Sequence, residues 1–151
     1  MEPFLVAFGE DMDQTTKQVL QNLINRKLKY NRYKNMHFTF LTIAILFCFL
    51  SFYFIYKTAI EPYNYSVLDM VSVFTGKSYF LLLIFIGFTL LGSVKIFFEK
   101  KEKSEKEYND LRCEVIDKCG DLLPGNLWNE RHKIFEYMKK KYNINLYHQS
   151  K

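Results

Sequence analysis

Nineteen consecutive residues without a charge, Phe38 to Tyr56 (FTFLTIAILFCFLSFYFIY), constrain this chain more than any other feature. At 1.5 Å per residue they form a helix of roughly 28 Å, against a bilayer hydrocarbon core of about 30 Å. A soluble protein hides such a helix beneath a large core, and 151 residues cannot enclose two of them. There are two, because Tyr79 to Phe98 (YFLLLIFIGFTLLGSVKIFF) carries only Lys95, one turn from its end, where its stem can reach the headgroups. Both runs are expected to cross a membrane.

Orientation follows from lysine and arginine. Arg26, Lys27, Lys29, Arg32 and Lys34 precede the first run, and Lys100, Lys101, Lys103 and Lys106 follow the second, whereas only Lys57 and Lys77 lie between. The positive-inside rule then places both termini in the cytoplasm. Acidic residues (Glu2, Glu10, Asp11, Asp13) replace the basic start of a signal peptide, so the first run is expected to stay as an anchor. The chain divides into a cytoplasmic amphipathic helix (1–37), a first transmembrane helix (38–56), an extracytoplasmic loop (57–78), a second transmembrane helix (79–98) and a cytoplasmic helical tail (99–151). In the loop, Ser66, Asp69, Ser72 and Thr75 recur every third residue. That pattern reads either as a short helix on the outer interface, with Ser66 and Asp69 as a capping box, or as an ordinary connection.

Aromatics make up 18% of the chain while Gly (6) and Pro (3) are scarce, a composition that leaves a mostly helical fold. In the first segment Val19, Leu20, Leu23, Ile24 and Leu28 recur at helical spacing, with Asp13 or Thr15 as a cap. This stripe either packs on the other cytoplasmic helices, the favoured reading, or lies among the inner headgroups. Beyond the second run, EKKEKSEKE sets Glu99 with Lys103 and Glu102 with Lys106 at i,i+4, predicting a solvated continuation of that helix. Leu111, Val115, Ile116 and Cys119 then form one apolar side. Pro124-Gly125 breaks the chain before a last amphipathic helix with Leu127, Trp128, Arg131, Ile134, Phe135 and Met138. Three such stripes facing one another would make a small bundle.

Residues for chemistry are missing where chemistry would need them. Neither apolar run has an ionisable group at its middle for a proton relay. The phosphate-loop, nucleophile-elbow and zincin motifs are absent. Cys113 and Cys119 with His132 are poor metal ligands, since six residues turn a helix by about 240° and separate the thiols. No cofactor or metal is expected, and the three cysteines are read as packing groups. Lys139, Lys140 and Lys141 could touch anionic lipid or nucleic acid, but cations at a helix C-terminus already answer its dipole, so nucleic acid is not expected. With Arg26 and Lys27 they are the candidate partner-binding or lipid-facing cations. Self-association would fall on the second run, where Gly87, Thr89, Gly92 and Ser93 offer small residues, Thr89 and Ser93 in small-xxx-small spacing. The first run, with eight aromatics in 19 residues and only Ala44 and Ser51 small, would crowd a wet axis.

The layout and the final stretch NLWNERHKIFEYMKKKYNINLYHQSK (Asn126 to Lys151) resemble the YpbF-like family of small uncharacterised membrane proteins of Bacillus and related spore formers. The resemblance implies a bacterial cytoplasmic membrane and brings no catalytic residues. The resulting expectation is an all-α membrane protein: a two-helix transmembrane hairpin with a small cytoplasmic helical bundle. It would bind a membrane or cytoplasmic protein partner or organise a homo-oligomer without catalysis. The alternative is an oligomeric pore-forming or holin-like protein.

Overall fold

A computed structural model describes residues 12–61, 76–123 and 125–147, together with the isolated positions 3, 68, 71 and 72. Most of the loop pattern built on Ser66, Asp69 and Thr75 lies outside the described residues, as do Pro124 and the side chain of Leu127. Among the described residues every regular element is helical. Helix α1 (Gln14–Ile55) passes into a π-helical turn (Tyr56–Ile60), and then come α2 (Ser78–Asp117), the short α3 (Cys119–Leu122) and α4 (Asn126–Tyr142). Helix α1 starts directly after Asp13, whose carbonyl accepts the Lys17 N–H at 3.1 Å. Between α3 and α4, Gly125 holds φ 62 and ψ −126, a backbone region that a side chain disfavours.

The chain forms two compact units, one from residues 1–33 and 100–151 and the other from residues 34–99. The first has a shared apolar core. Leu20, Leu23 and Ile24 of α1 meet Tyr108 and Val115 of α2 and Ile134, Phe135 and Met138 of α4, with Val19, Leu111, Ile116 and Cys119 packed around them. The helical stripes thus cover one another. The buried Thr16 hydroxyl donates to the Leu122 carbonyl at 3.0 Å, tying the start of α1 to the end of α3.

Three details depart from the sequence expectation. Leu28 is 50% exposed, because beyond Ile24 the side of α1 turned to α2 is occupied by Lys27, which lies over the Tyr108 ring, and by Tyr30. Along EKKEKSEKE the pairs that form are Lys101 with Glu105 (3.8 Å) and Lys29 with Glu107 (3.1 Å), in place of Glu99 with Lys103 and Glu102 with Lys106. The carboxylates engaged are those within reach of α1, where Tyr30 bonds Glu105 and Lys29 bonds Glu107. Finally, the residues after α4 complete the core. The chain leaves α4 through Asn143 in the left-handed conformation (φ 55), with the Asn143 and Ile144 N–H groups bonded to the Lys139 and Met138 carbonyls at 3.0 and 3.1 Å. Ile144 (0% exposed) and Leu146 (2%) then point in, while Tyr147, facing out, stands edge-on to Phe135.

In the second unit, residues pair in reverse order along α1 and α2. His37 meets Phe98 (ring centroids 5.4 Å), Phe40 stacks on Phe97 (4.7 Å), and Phe54 meets Tyr79 edge-on (5.5 Å). The two segments therefore run antiparallel. Both are long and apolar enough to cross a membrane, and only 6% of the most apolar stretch of each is buried. Phe49, Phe52, Phe85 and Phe88 are each 70–71% exposed.

Candidate functional site

One row of α2 places polar groups where an apolar stripe would be expected. Ser104, Tyr108, Arg112 and Val115 follow at intervals of four, four and three, and all four are buried. A buried guanidinium needs partners, and the Arg112 Nε donates to the Asn145 carbonyl at 2.7 Å, fixing the segment after α4 against α2. Around Arg112 opens a cavity of about 230 Å³ lined by Lys27, Tyr30, Glu105, Tyr108, Asn109, Arg112, Asn143 and Asn145. Helix α1 supplies Lys27 and Tyr30, helix α2 the middle four, and the left-handed turn the two asparagines.

The Tyr30 and Tyr108 rings lie parallel within 5° at 6.3 Å between centroids. The Lys27 ammonium is 4.6 Å from the Tyr108 centroid and 5.3 Å from that of Tyr30. The Tyr30 hydroxyl donates to Glu105 Oε1 at 3.3 Å, and Lys101 pairs with Oε2 of the same carboxylate. Burial raises the Tyr108 phenol above its ordinary pKa, partly opposed by the Arg112 charge, so it remains a neutral hydroxyl at physiological pH. Burial also raises Tyr30, reinforced by the Glu105 charge. The cavity wall therefore offers two cations, two phenols and three amides, with its single carboxylate already engaged.

Of the cations singled out in the sequence, only Lys27 lines this cavity. Arg26 donates from Nη1 to the Glu107 carbonyl at 2.8 Å. Beside it the Lys29 hydrogen bond holds the Glu107 carboxyl below its usual pKa. Lys139 is exposed in the last turn of α4, Lys140 pairs with Glu136 (2.6 Å), and Lys141 donates to the Tyr137 hydroxyl (2.9 Å). The small residues of the second run take different settings. A Cβ on Gly87 would lie 3.7 Å from Phe47, so this glycine faces the first helix, whereas a Cβ on Gly92 would meet nothing within 4 Å. The Thr89 and Ser93 hydroxyls bond back to the Ile86 and Thr89 carbonyls, both at 2.8 Å. An apolar groove of about 250 Å³ runs along this unit past Ala44, Cys48, Phe52 and Leu91. Among the described residues no three His, Cys, Asp or Glu side chains converge as a metal site.

Sequence reasoning missed seven of the eight cavity residues, because it followed apolar stripes and basic clusters, and Tyr108, Arg112 and the asparagines belong to neither. The available signal was spacing. Arg112 stands four residues after Tyr108 and three before Val115, on the buried row.

Residues 19–149 match the model of a family described as a protein of unknown function (DUF2663). Over the whole length of both chains the sequence is 34% identical to the uncharacterized protein YpbF of Bacillus subtilis (strain 168). No solved structure matches the chain.

Proposed function

The chain belongs to the family of unknown function DUF2663, and from that premise we propose that it is a two-pass protein of the bacterial cytoplasmic membrane acting as a non-catalytic scaffold. Its residues 34–99 form the transmembrane hairpin, both termini are cytoplasmic, and the helical core of residues 1–33 and 100–151 binds a protein partner or organises an oligomer. The observation that carries this reading is the exposure of the aromatic surface of the two apolar helices. Phe49, Phe52, Phe85 and Phe88 would drive aggregation in water, and lipid removes that cost. The lysine and arginine asymmetry supports the sidedness. The pairing of α1 with α2 from His37–Phe98 to Phe54–Tyr79 suits two adjacent passes of opposite sense.

Topology reporters test it. Fusions before Met1 and after Lys151 should both read as cytoplasmic, and an insertion near Asn64 as external. A C-terminus outside the cell would rule out the hairpin and leave one true span.

A further inference from the structure

We propose that a row of α4 running from Trp128 and Arg131 to Lys139 binds an acidic segment of a protein partner, an assignment that rests on the partner-binding role given above to residues 1–33 and 100–151. The sole tryptophan of the chain is 42% exposed in the first turn of α4. Trp128, His132, Phe135 and Lys139 follow at intervals of four, three and four, so they share one row of the helix, roughly 16 Å long at 1.5 Å per residue. Phe135 is buried, and at the surface Tyr147 stands edge-on to its ring at 5.4 Å, 46% exposed.

Both exposed rings are held in place. The Arg131 guanidinium carbon lies 3.8 Å from the Trp128 ring centre, and Nη1 donates to the Trp128 carbonyl at 3.2 Å. The Tyr147 hydroxyl donates to the His132 carbonyl at 3.3 Å, and the Tyr147 N–H to Asn145 Oδ1 at 3.0 Å. Trp, Tyr and Arg are the residues that most often anchor protein interfaces, and anchors fixed before contact lose little freedom on binding. Charge selects the occupant. The glutamates of α4 are matched, Glu130 by Lys133 at 3.0 Å and Glu136 by Lys140 at 2.6 Å. Arg131 and Lys139 have no carboxylate partner among the described residues. With one N–H on the Trp128 carbonyl, the Arg131 fork is open to take a carboxylate on two others. The rings beside it suit an aliphatic or aromatic side chain. Two cations pull weakly on a bilayer surface, whereas fixed rings and an open fork reward a partner of matching shape, which favours a protein segment over anionic lipid.

The experiment is selection of displayed random ten-residue peptides without tryptophan on the full chain in detergent, followed by titration of the enriched peptides while Trp128 emission is read. Enriched sequences should combine an excess of Asp and Glu with Leu, Phe or Tyr, bind with Kd at or below about 100 μM, and move Trp128 emission to shorter wavelength. Arg131→Gln should weaken binding about tenfold and Lys139→Gln about threefold, while Lys106→Gln, an equal loss of charge on the exposed side of α2, should leave it unchanged. None of the three residues belongs to the buried apolar core, so circular dichroism should stay the same. Enrichment of no acidic peptide, equal affinities in wild type, Arg131→Gln and Lys139→Gln, or an equal loss in Lys106→Gln would overturn the proposal. So would an emission shift on transfer to phosphatidylglycerol nanodiscs with no further change on adding peptide, which would assign the row to anionic lipid. An external C-terminus in the topology fusions would overturn the hairpin and leave these titrations untouched, so the two readings fail separately.

Discussion

At the scale of single residues, Asn143 decides how the chain finishes. Its φ of 55 is tolerated by asparagine and costly for a β-branched residue. Asn143→Val should lower stability by about 1–2 kcal/mol, and Asn143→Gly should stay within roughly 0.5 kcal/mol of wild type, both read by denaturant unfolding in detergent. Tyr108 makes a pH-dependent contribution. Its folded pKa is raised by burial, so between the unfolded and folded values the native state holds the proton that the unfolded chain has released. That contribution is intact below the unfolded tyrosine value of about 10 and declines as pH rises through the folded value. Tyr108→Phe should flatten the alkaline fall in stability, with tyrosinate absorbance locating the transition. None of this could be read from the sequence, since an isolated Asn or Tyr carries no sign of its φ or its burial until the neighbouring element is known.

Among the elements, periodicity made the stripes of α1, α2 and α4 legible, and Leu23, Val115, Ile134 and Met138 are buried where their spacing put them. Spacing says nothing about which neighbour covers a stripe, and Leu28, in register with Ile24, is left exposed beside Lys27 and Tyr30. The segment after α4 escaped because four residues are too few for a periodic signal, although Ile144 and Leu146 alternate with Asn145 and Tyr147 as an extended strap would. Ile144→Ala should cost about 2–5 kcal/mol and hasten proteolysis of the helical core, as does any emptied, fully buried aliphatic site. Leu111→Asp should destabilise the same core by several kcal/mol, because an unpaired carboxylate would sit against Val115 and its neighbours. A mutant tail as protease-resistant as wild type would show that Leu111 does not support it. Of the cavity, the sequence reading reached Lys27 alone, since an apolar-stripe search passes over a buried arginine by construction.

For the molecule as a whole, the proposed self-association would fall on the apolar helices. A Cβ at Gly92 would meet nothing within 4 Å in the chain itself, so a side chain there starts out into space open to a second copy. Crosslinking yield in membranes should fall for Gly92→Leu and hold for Phe47→Leu at equal expression. Equal yields would move the contact elsewhere. Dye release from vesicles containing the protein would favour the pore reading over the scaffold.

The unit formed by residues 1–33 and 100–151 is interrupted by all of residues 34–99, and this makes its assembly a matter of timing. During synthesis Leu20, Leu23 and Ile24 emerge first and have no α4 to cover them until the chain has been extended as far as Met138, roughly 6–23 s later at 5–20 residues per second. The nascent chain must therefore shield an apolar stripe for seconds while its two most hydrophobic segments are handled. Closure of the core has to wait for α4, and a chain stalled before Lys100 carries an uncovered stripe that proteases and chaperones can recognise.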